Sequence, residues 1–423
     1  MGLAWNGTSS PNPGQEREAA GHCHWACGRI SGGMDGLRKP PLTKPTQSVN
    51  RFSSAEWIEK KETIRQNCSM TPGNSETEGS KPAMLGGHQL FLSPPTMWLY
   101  LVALVGLWKL LRLFRERQVV SHLQDKYVFI TGCDSGFGNL LARQLDRRGM
   151  RVLAACLTEE GAEQLRSKTS DRLETVILDV TKTESIVSAT QWVKERVGNT
   201  GLWGLVNNAG ISIPSGPSEW LNKQDFARVL DVNLLGTIEV TLSMLPLVRK
   251  ARGRVVNVSS IVGRVSLGGG GYCISKYGVE AFSDSLRREL SHFGVKVAII
   301  EPGFFMTTMS DSAMLSSNVK MLWDQTSSEI RELYGEKYLA SYLTRLKGFD
   351  DWHSKDLSVV TDCMEHALTS CHPRTRYSAG WDAKLFYLPL SYMPTFLVDA
   401  LVSWTSPKPV LLPKTSPLPS SQD

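Results

Sequence analysis

The chain has 423 residues, of which 41% are hydrophobic and 21% charged, with a formal net charge of +6. This composition excludes a chain that is disordered throughout, and the length allows one large domain with appendages or two domains. The charge is modest, and one short basic run follows a hydrophobic segment, so no nucleic-acid partner is expected. The eight cysteines are scattered without a repeated spacing, which argues against a disulfide framework and favours reduced thiols.

The first part of the chain differs in composition from the rest. Residues 1–96 are rich in Gly, Pro, Ser, Thr and Asn and show no sustained apolar period, which predicts a disordered extension. His22-Cys23-His24 and Cys27 have the residue types of a metal site, but no second Cys/His pair follows at finger spacing, so we expect no metal. Met97 is a plausible alternative start, which would make residues 1–96 an isoform extension or a gene-model artefact.

A hydrophobic segment follows. Met97–Phe114 is interrupted only by Lys109 and Arg112. Its unbroken part is shorter than the ~20 residues that cross a bilayer, but a lysine or arginine near the end can reach the interface and extend it. Arginines on the C-terminal side of this segment favour a cytosolic position for the domain that follows it. We predict a membrane anchor over residues 97–118, with a buried amphipathic helix as the alternative.

Short apolar runs alternate with helical patterns from about residue 125. A helix is predicted over Leu140–Arg148. Strands are predicted at Tyr127–Ile130, Arg151–Cys156, Thr175–Leu178, Trp203–Asn207, Arg254–Val258, Val295–Ile300 and Arg376–Ala379. The alternation predicts an α/β fold with a Rossmann-type, doubly wound parallel sheet of about seven strands. We assign it to one domain over residues 120–410, followed by a tail over residues 411–423.

A glycine-rich turn comes directly after the first predicted strand. Residues 131–138 read TGCDSGFG and open a helix. Glycines there allow a tight turn and a close approach of backbone to phosphate, and the helix N-terminus offers free N–H groups to a pyrophosphate. The turn predicts a dinucleotide site, whose cofactor-binding candidates are Thr131, Gly132, Ser135, Gly136, Phe137 and Gly138.

The end of the second predicted strand bears on which dinucleotide binds. An acidic residue there usually binds the ribose hydroxyls of NAD, and a basic one binds the 2′-phosphate of NADP. Cys156 and Leu157 give neither signal, while Asp134 in the glycine turn would repel an extra phosphate. We therefore expect NAD in preference to NADP. Asp179, after the third strand, is placed either to accept a hydrogen bond from the adenine amino group or to cap a turn.

Further candidates follow the later strands. Ligands in open α/β sheets bind beyond the carboxyl ends of the strands, where Asn207-Asn208-Ala209-Gly210 and Ser260 are expected. Asn233 falls in a helical stretch, where an asparagine is unfavourable unless it has a partner. Pro302-Gly303 ends the sixth strand, and Thr307 comes soon after it.

Tyr272 and Lys276 are four residues apart, which places both on one face of a helix. A phenol loses its proton near pH ~10, and a nearby ammonium lowers that pKa by favouring the phenolate. The pair can act as a general acid and base on an alcohol. By itself, this spacing more often marks an ordinary amphipathic helix with a solvated lysine, so the pair needs the rest of the site to acquire meaning.

As a set, these motifs resemble the short-chain dehydrogenase/reductase family, from about residue 120 to residue 410. DKYVFITGCDSGFG, LWGLVNNAGIS, GRVVNVSS and YCISKYGVEAFSDSLRREL are similar to its subgroup of microsomal retinol dehydrogenases that also oxidise 3α-hydroxysteroids. The resemblance implies oxidation of a lipophilic alcohol, with hydride transfer to a nicotinamide cofactor. Residues 1–96 have no counterpart in it.

The resemblance also implies a role for each matching residue. Tyr272 is expected to exchange the hydroxyl proton, and Lys276 to lower the pKa of that tyrosine and bind the nicotinamide ribose. Ser260 is expected to bind the substrate oxygen, with neighbouring Ser259 as a rival. Asn233 is expected to hold a helix bend and a proton-relay water.

Two apolar stretches are expected on the substrate side. Residues 304–355 are predicted to form an apolar cover over the substrate, although the same residues also fit a core. Thr307 lies within this range, and the resemblance implies that it fixes the carboxamide of the nicotinamide. The apolar residues of this cover are Phe304, Phe305, Met309, Met314, Met321, Leu322 and Trp323. Prolines in Leu385–Trp404 disfavour a spanning helix, so that stretch is predicted to lie on the membrane or to cap the substrate entrance.

Three hypotheses for function remain. The first is an NAD-dependent dehydrogenase for retinol and 3α-hydroxysteroids. The second is a hydroxysteroid dehydrogenase or epimerase with little retinoid activity, and the third is a catalytically silent nucleotide-binding scaffold. For the first two hypotheses we expect the protein in the endoplasmic reticulum membrane, in contact with membrane lipid, with its catalytic domain facing the cytosol. The sequence leaves open whether the protein forms a homodimer.

Overall fold

Short apolar runs bounded by turn residues form the strands of one sheet. The computed structural model of the chain describes residues 94–409, so the predictions for the segment before residue 94 and for the tail lie outside the described residues. The strands are β1 (Tyr127–Thr131), β2 (Arg151–Cys156), β3 (Leu173–Ile177), β4 (Gly204–Asn207), β5 (Arg254–Val258), β6 (Lys296–Pro302) and β7 (Arg376–Ala379). All pairs are parallel, in the order β3-β2-β1-β4-β5-β6-β7. The predicted fold class is confirmed.

Twelve α-helices of seven or more residues flank or extend this sheet in the described part of the chain. They are α1 (Pro94–Glu116), α2 (Gly136–Arg147), α3 (Glu159–Arg166), α4 (Thr183–Val197), α5 (Lys223–Leu230), α6 (Thr237–Lys250), α7 (Gly271–Leu290), α8 (Ser312–Gln325), α9 (Ser328–Tyr334), α10 (Glu336–Trp352), α11 (Ser358–Thr369) and α12 (Thr395–Thr405). A π-helical turn, Asp231–Gly236, joins α5 to α6.

Several element boundaries differ from the prediction, most of them by one residue and three of them by more. Helix α2 begins at Gly136 rather than Leu140, because the glycine turn itself enters the helix. Strand β3 begins earlier than predicted because Leu173 pairs with Val152 of β2. Strand β6 runs on to Pro302, which pairs with Ala379 of β7.

Successive residues of each strand face opposite sides of the sheet, and helices cover both sides. In β1, Val128 and Ile130 pack with residues of α2, α3 and α11, whereas Phe129 packs with residues of α4, α6 and α7. Cys133, Cys156 and Cys273 are buried, as the sequence predicted. Because helices cover both faces of the sheet, a ligand can reach it only at the ends of the strands.

The strand order places a crevice at the centre of the sheet. β1 pairs with β2 on one side and with β4 on the other, so the chain reverses its direction of winding between β1 and β4. In open α/β sheets, ligands bind at this switch point, beyond the carboxyl ends of the strands. The glycine turn after β1 and the Asn207–Gly210 segment after β4 lie at that edge.

Helix α1 is exposed along its length. Every side chain from Met97 to Arg115 is exposed, and Met97–Glu116 is long and apolar enough to cross a membrane. The alternative of an amphipathic helix buried against the domain does not fit this exposure. A second stretch of that length and composition, Lys223–Lys250, spans α5 and α6 and is partly buried in the domain.

The C-terminal apolar stretch is broken, as its prolines predicted. Ala383–Tyr387 forms a π-helical turn, Leu388–Leu390 a short helical turn, and α12 follows Pro394. Ala383 and Leu390 are buried, but most large apolar side chains of this stretch are exposed. The segment therefore has an inner face on the domain and an outer apolar face.

Candidate active site

The glycine turn is packed so tightly that side chains would not fit at two of its positions. Gly132 has φ +69°, and a Cβ on it would lie 2.8 Å from the Cα of Ala209. A Cβ on Gly138 would meet the Gly132 carbonyl and the Asn208 side chain. The backbone of β1, β4 and α2 can approach this closely only because these residues are glycines.

The N-terminus of α2 opens towards the crevice. Its N-cap, Ser135, makes no side-chain capping hydrogen bond, so the first N–H groups of the helix remain available to an anion. Gly136 has φ +60°. Phe137 packs edge-on against Phe305, with ring centroids 5.8 Å apart. These features fit the pyrophosphate of a dinucleotide.

Hydrogen bonds join the ends of β1 and β4. The hydroxyl oxygen of Thr131 accepts from the backbone N–H groups of Asn208 (3.0 Å) and Ala209 (3.1 Å). The Asn208 amide donates to the carbonyls of Thr131 and Gly132, each at 3.0 Å. Thr131, a predicted cofactor residue, therefore also fixes the shape of the crevice floor.

Asp134 connects the glycine turn to the end of β2. Its carboxylate accepts hydrogen bonds from the Leu157 N–H (2.8 Å), the Thr158 N–H (3.0 Å) and the Thr158 hydroxyl (2.9 Å). The charge lies at the strand end where the ribose-selecting residue of a dinucleotide fold is found. Burial, with the Asp134 charge beside it, raises the pKa of Cys156 to about 12.

Asp179 is engaged by its own turn. It accepts hydrogen bonds from the N–H (3.0 Å) and hydroxyl (2.7 Å) of Thr181, and it pairs with Lys182 at 3.2 Å. Hydrogen bonds from Thr181 are the main cause of its lowered pKa. This geometry matches the turn-capping interpretation, and the adenine contact stays a prediction.

The side chain of Asn207 does not reach the crevice. It is buried between β5 and α6, and its amide donates to the Thr241 hydroxyl and to the Asn257 carbonyl oxygen, both at 2.8 Å. The cofactor role predicted for this residue therefore finds no side-chain counterpart. Its neighbours Ala209 and Gly210 do lie at the edge of the sheet.

Asn233 has the partners that a buried asparagine requires. Its carbonyl oxygen accepts from Ile211 N–H at 2.8 Å, and its amide donates to the Ile211 carbonyl (2.9 Å) and the Ser275 hydroxyl (3.0 Å). It lies in the π-helical turn between α5 and α6, which accommodates this inward side chain. The predicted helix irregularity is present; the proton-relay water stays a prediction.

Ser260 and Tyr272 meet at the end of β5. A hydrogen bond with Ser260 lowers the pKa of Tyr272, but burial outweighs it and raises that pKa to about 12. The lowered pKa expected from the sequence is therefore wrong for the ligand-free chain. Ser259 instead donates to the Lys276 carbonyl at 3.2 Å. The geometry thus favours Ser260 over its rival.

Lys276 is buried one helical turn after Tyr272. Its Nζ donates to the Val258 carbonyl at 2.9 Å and lies 5.6 Å from the centre of the Tyr272 ring. A Cβ on Gly210 would lie 3.7 Å from this Nζ. Burial lowers the pKa of Lys276 to about 8, and the Glu280 carboxylate opposes that shift.

The segment after β6 covers the glycine turn. A Cβ on Gly136 would lie 3.9 Å from the Thr307 methyl carbon, and the Thr308 hydroxyl donates to Ser135 at 3.5 Å. A cleft between them is lined by Gly136, Met306, Thr307, Thr308, Asp311, Met314 and Leu357. Thr307 is thus close to the predicted pyrophosphate site.

The predicted substrate cover is partly a core. Phe305 belongs to the main core of the domain, while Leu322 and Trp323 are buried in a separate aromatic cluster around Trp220. The wall beside Tyr272 is formed by Ile261, Val262, Leu267, Cys273, Phe304, Ala383, Tyr387 and Leu388. Tyr387 and Leu388 belong to the Leu385–Trp404 stretch, for which a cap on the substrate entrance was one of two predictions; that role stays a prediction.

Several site residues were missed because their contacts join distant parts of the chain. Ser275 accepts from Asn233 and donates to the Tyr272 carbonyl at 2.7 Å. Asp382 accepts from the Phe304 N–H at 2.8 Å, and so fixes the start of the cover. Glu280 contacts Arg376, 96 residues away. The spacing of Glu280, four residues after Lys276, was the one local signal.

Comparison with known proteins agrees with this geometry. Residues 126–317 match the family described as short chain dehydrogenase. The chain is 86% identical to retinol dehydrogenase 16 of Mus musculus and 70% identical to that of Homo sapiens. It is 66% identical to 17-beta-hydroxysteroid dehydrogenase type 6 of Homo sapiens. Each alignment covers 74% of this chain and 99% of the relative.

A solved structure shares the fold. The crystal structure of a short-chain dehydrogenase from Streptomyces avermitilis matches with a TM-score of 0.52 at 26% identity, over 66% of this chain and 94% of that one. The glycine turn and the uncapped α2 fit the nicotinamide cofactor that such enzymes use. The chain therefore belongs to the short-chain dehydrogenase/reductase family, in its retinol dehydrogenase subgroup, and is an alcohol dehydrogenase of the short-chain type.

Proposed function

We propose that the chain oxidises retinol to retinal and 3α-hydroxysteroids to ketosteroids, with NAD as the cofactor. The observation that carries the proposal is the meeting of Ser260, Tyr272 and Lys276 under an apolar wall at the carboxyl edge of the sheet. The relatives are named for retinol and for a hydroxysteroid, which are both lipophilic alcohols. An apolar wall with few convergent polar groups suits substrates of that class.

In the proposed mechanism, the substrate oxygen lies between the hydroxyl groups of Ser260 and Tyr272. Tyr272 takes the hydroxyl proton as general base, while Ser260 orients the oxygen. Bound NAD supplies the hydride acceptor and a positive charge. Because the pKa of Tyr272 is about 12 in the ligand-free chain, its ionisation requires nearby positive charge, which the Lys276 ammonium provides from the protein side.

The preference for NAD over NADP is supported by Asp134. Its carboxylate is held at the end of β2 by three hydrogen bonds, where a 2′-phosphate would have to bind. The Asp134 carboxylate and a 2′-phosphate at this position would repel each other, and Leu157 and Thr158 offer no compensating cation. Asp134 therefore disfavours NADP.

A hydroxysteroid dehydrogenase or epimerase with little retinoid activity is the second candidate. The relative named 17-beta-hydroxysteroid dehydrogenase type 6 favours it. A silent scaffold is disfavoured, because Asn233, Ser260, Tyr272 and Lys276 are all present in one site.

Membrane attachment is part of the proposal. Helix α1 is exposed, apolar and long enough to span a bilayer, and Arg112, Arg115 and Arg117 near its end favour a cytosolic domain. We assign the protein to the endoplasmic reticulum membrane by similarity to its subgroup. The outer face of the C-terminal stretch would meet lipid, and its inner face forms part of the wall beside Tyr272. This arrangement gives a lipid-soluble alcohol a short path to the site.

The test uses microsomes that contain the full chain. All-trans-retinol and androsterone are offered separately with NAD and with NADP, and reduced cofactor is measured. We expect both alcohols to be oxidised, faster with NAD. Androsterone oxidation without retinol oxidation would select the second candidate, and failure of all four combinations beside an active control enzyme would overturn the proposal.

A further inference from the structure

Three carboxylates behind the active site share one guanidinium. Arg376 on β7 lies 3.0 Å from Glu280 and 3.0 Å from Asp284, both on α7, and 3.3 Å from Glu301 on β6. Glu280 and Glu301 are buried, whereas Asp284 is partly exposed. One cation divided in this way cannot neutralise all three carboxylates.

Glu280 is the least compensated of the three. Glu301 has a second cation, Arg264, at 3.1 Å, and Asp284 has Arg287 at 3.0 Å. Among the described residues, Glu280 forms an ion pair with Arg376 alone. Its Oε1 is buried without a well-formed hydrogen bond in the described part of the chain; the Ser259 hydroxyl lies near this carboxylate but donates to the Lys276 carbonyl, so it compensates the charge only in part. A buried carboxylate whose charge is only partly compensated is stabilised by a further cation nearby.

The next cation along the helix is Lys276. Tyr272, Lys276 and Glu280 follow one another at four-residue intervals, so they lie on one face of α7, with side chains about 5–6 Å apart at Cβ. Lys276 is buried and forms no ion pair among the described residues; its Nζ donates to the Val258 carbonyl. The Glu280 carboxylate raises the pKa of Lys276, against the larger effect of burial.

We propose that Glu280 is a positioning residue for the reaction, which acts through Lys276 by holding its buried side chain in the ammonium form that Tyr272 requires. This role rests on the proposed function, because the Lys276 ammonium matters to catalysis only if Tyr272 is the general base. The electrostatic link between Glu280 and Lys276 belongs to the ligand-free chain and does not depend on any substrate.

The groups around Glu280 set the pH range of this effect. Burial and the Glu301 carboxylate raise the pKa of Glu280 to about 7, while the Ser259 hydroxyl and Arg376 oppose the rise. Above pH 7 Glu280 is therefore mostly ionised and supports the Lys276 ammonium. Removing this charge lowers the pKa of Lys276 below about 8, so the ammonium is lost at a lower pH. The alkaline limit of activity should move in the same direction.

The direct test titrates Lys276 in the ligand-free full chain, in detergent micelles. The chain carries lysine labelled with ¹³C at Cε, the Lys276 signal is assigned with Lys276→Arg, and its chemical shift is followed with pH. Glu280→Gln should move the midpoint down by about one pH unit. Asp284→Asn is the matched control: it removes a carboxylate at the same 3.0 Å from Arg376, but four residues, or about 6 Å along the helix axis, farther from Lys276.

The outcomes separate an electrostatic role from a structural one. A large shift in Glu280→Gln with a small one in Asp284→Asn supports the proposal, and the pH profile of kcat/KM should lose its alkaline side in Glu280→Gln alone. An unchanged midpoint in Glu280→Gln, or equal shifts in both variants, overturns it. If Glu280→Gln does not fold, Glu280→Asp, which moves the carboxylate, must give a smaller downward shift. Because the titration needs no alcohol, it stands even if retinol and steroid oxidation both fail.

Discussion

The Tyr272 hydroxyl is the atom on which the proposed chemistry depends. Tyr272→Phe keeps the ring that packs in the wall but removes the proton acceptor. We expect NAD-dependent alcohol oxidation to fall by about a hundredfold to ten-thousandfold, which is the contribution that a positioned general acid or base typically makes. Reduced-cofactor formation by purified protein measures it, with the melting temperature as a check on folding.

The control for this change is Tyr277→Phe. Tyr277 lies on the same helix but is 44% exposed and does not belong to the apolar wall beside Tyr272. It should retain wild-type activity. Near-normal turnover in Tyr272→Phe would remove Tyr272 from the mechanism and leave Ser260 without its proposed partner.

Asp134 allows a second test at a single residue. Asp134→Asn keeps an oxygen that can accept from the backbone of Leu157 or Thr158, but it removes the negative charge. We expect kcat/KM with NADP to rise about tenfold relative to NAD, which corresponds to ~1.4 kcal/mol. The measurement is the ratio of kcat/KM with NADP to kcat/KM with NAD, taken with the same alcohol in the wild type and in the variant. An unchanged ratio would show that another feature selects the cofactor.

Individual elements show what the sequence could and could not predict. The strands were predictable because apolar runs and turn residues are local, and so were Gly132 and Gly138, whose role follows from turn chemistry. The burial of Asn207 was not, since it depends on Thr241 and Asn257 from two other elements. The pKa of Tyr272 was mispredicted for the same reason: the spacing of Lys276 is local, but burial is a property of the packed site.

The C-terminal stretch carries the prediction at the scale of an element. Phe396 and Trp404 on α12 are 70% and 83% exposed, which suits side chains that enter a membrane interface. Phe396→Ser with Trp404→Ser should raise KM for retinol supplied in lipid vesicles by about threefold to tenfold, because less apolar surface meets the bilayer. kcat/KM for a water-soluble alcohol should stay the same.

The matched control for the C-terminal variant is Phe293→Ser, which removes an aromatic side chain that is 52% exposed and lies just before β6. It should leave KM for vesicle retinol unchanged. An equal effect of the two variants, or no effect of the α12 changes, would show that α12 is not the surface that meets lipid.

For the whole molecule, the junction of α1 with the domain matters as much as the helix itself. Glu116, the last residue of α1, binds Arg374 through its carboxylate at 2.6 Å, and its carbonyl accepts from His366 (2.9 Å) and Ser370 (3.0 Å). The helix therefore passes directly into the domain. In the proposed membrane-anchored state, this junction would hold the domain close to the membrane surface, which suits a substrate that is dissolved in lipid.

The proposed anchor can be tested by placing charges within α1. Leu104 and Leu107 are exposed near the middle of the helix, and an aspartate at such a depth costs about 2.5–3.5 kcal/mol. The double variant Leu104→Asp, Leu107→Asp should leave carbonate-washed microsomes for the soluble fraction. Val187→Asp with Leu242→Asp, two exposed apolar positions on α4 and α6, should stay with the membrane. Retention of the α1 variant would mean that α1 is not the main attachment, and would direct attention to the outer face of α12.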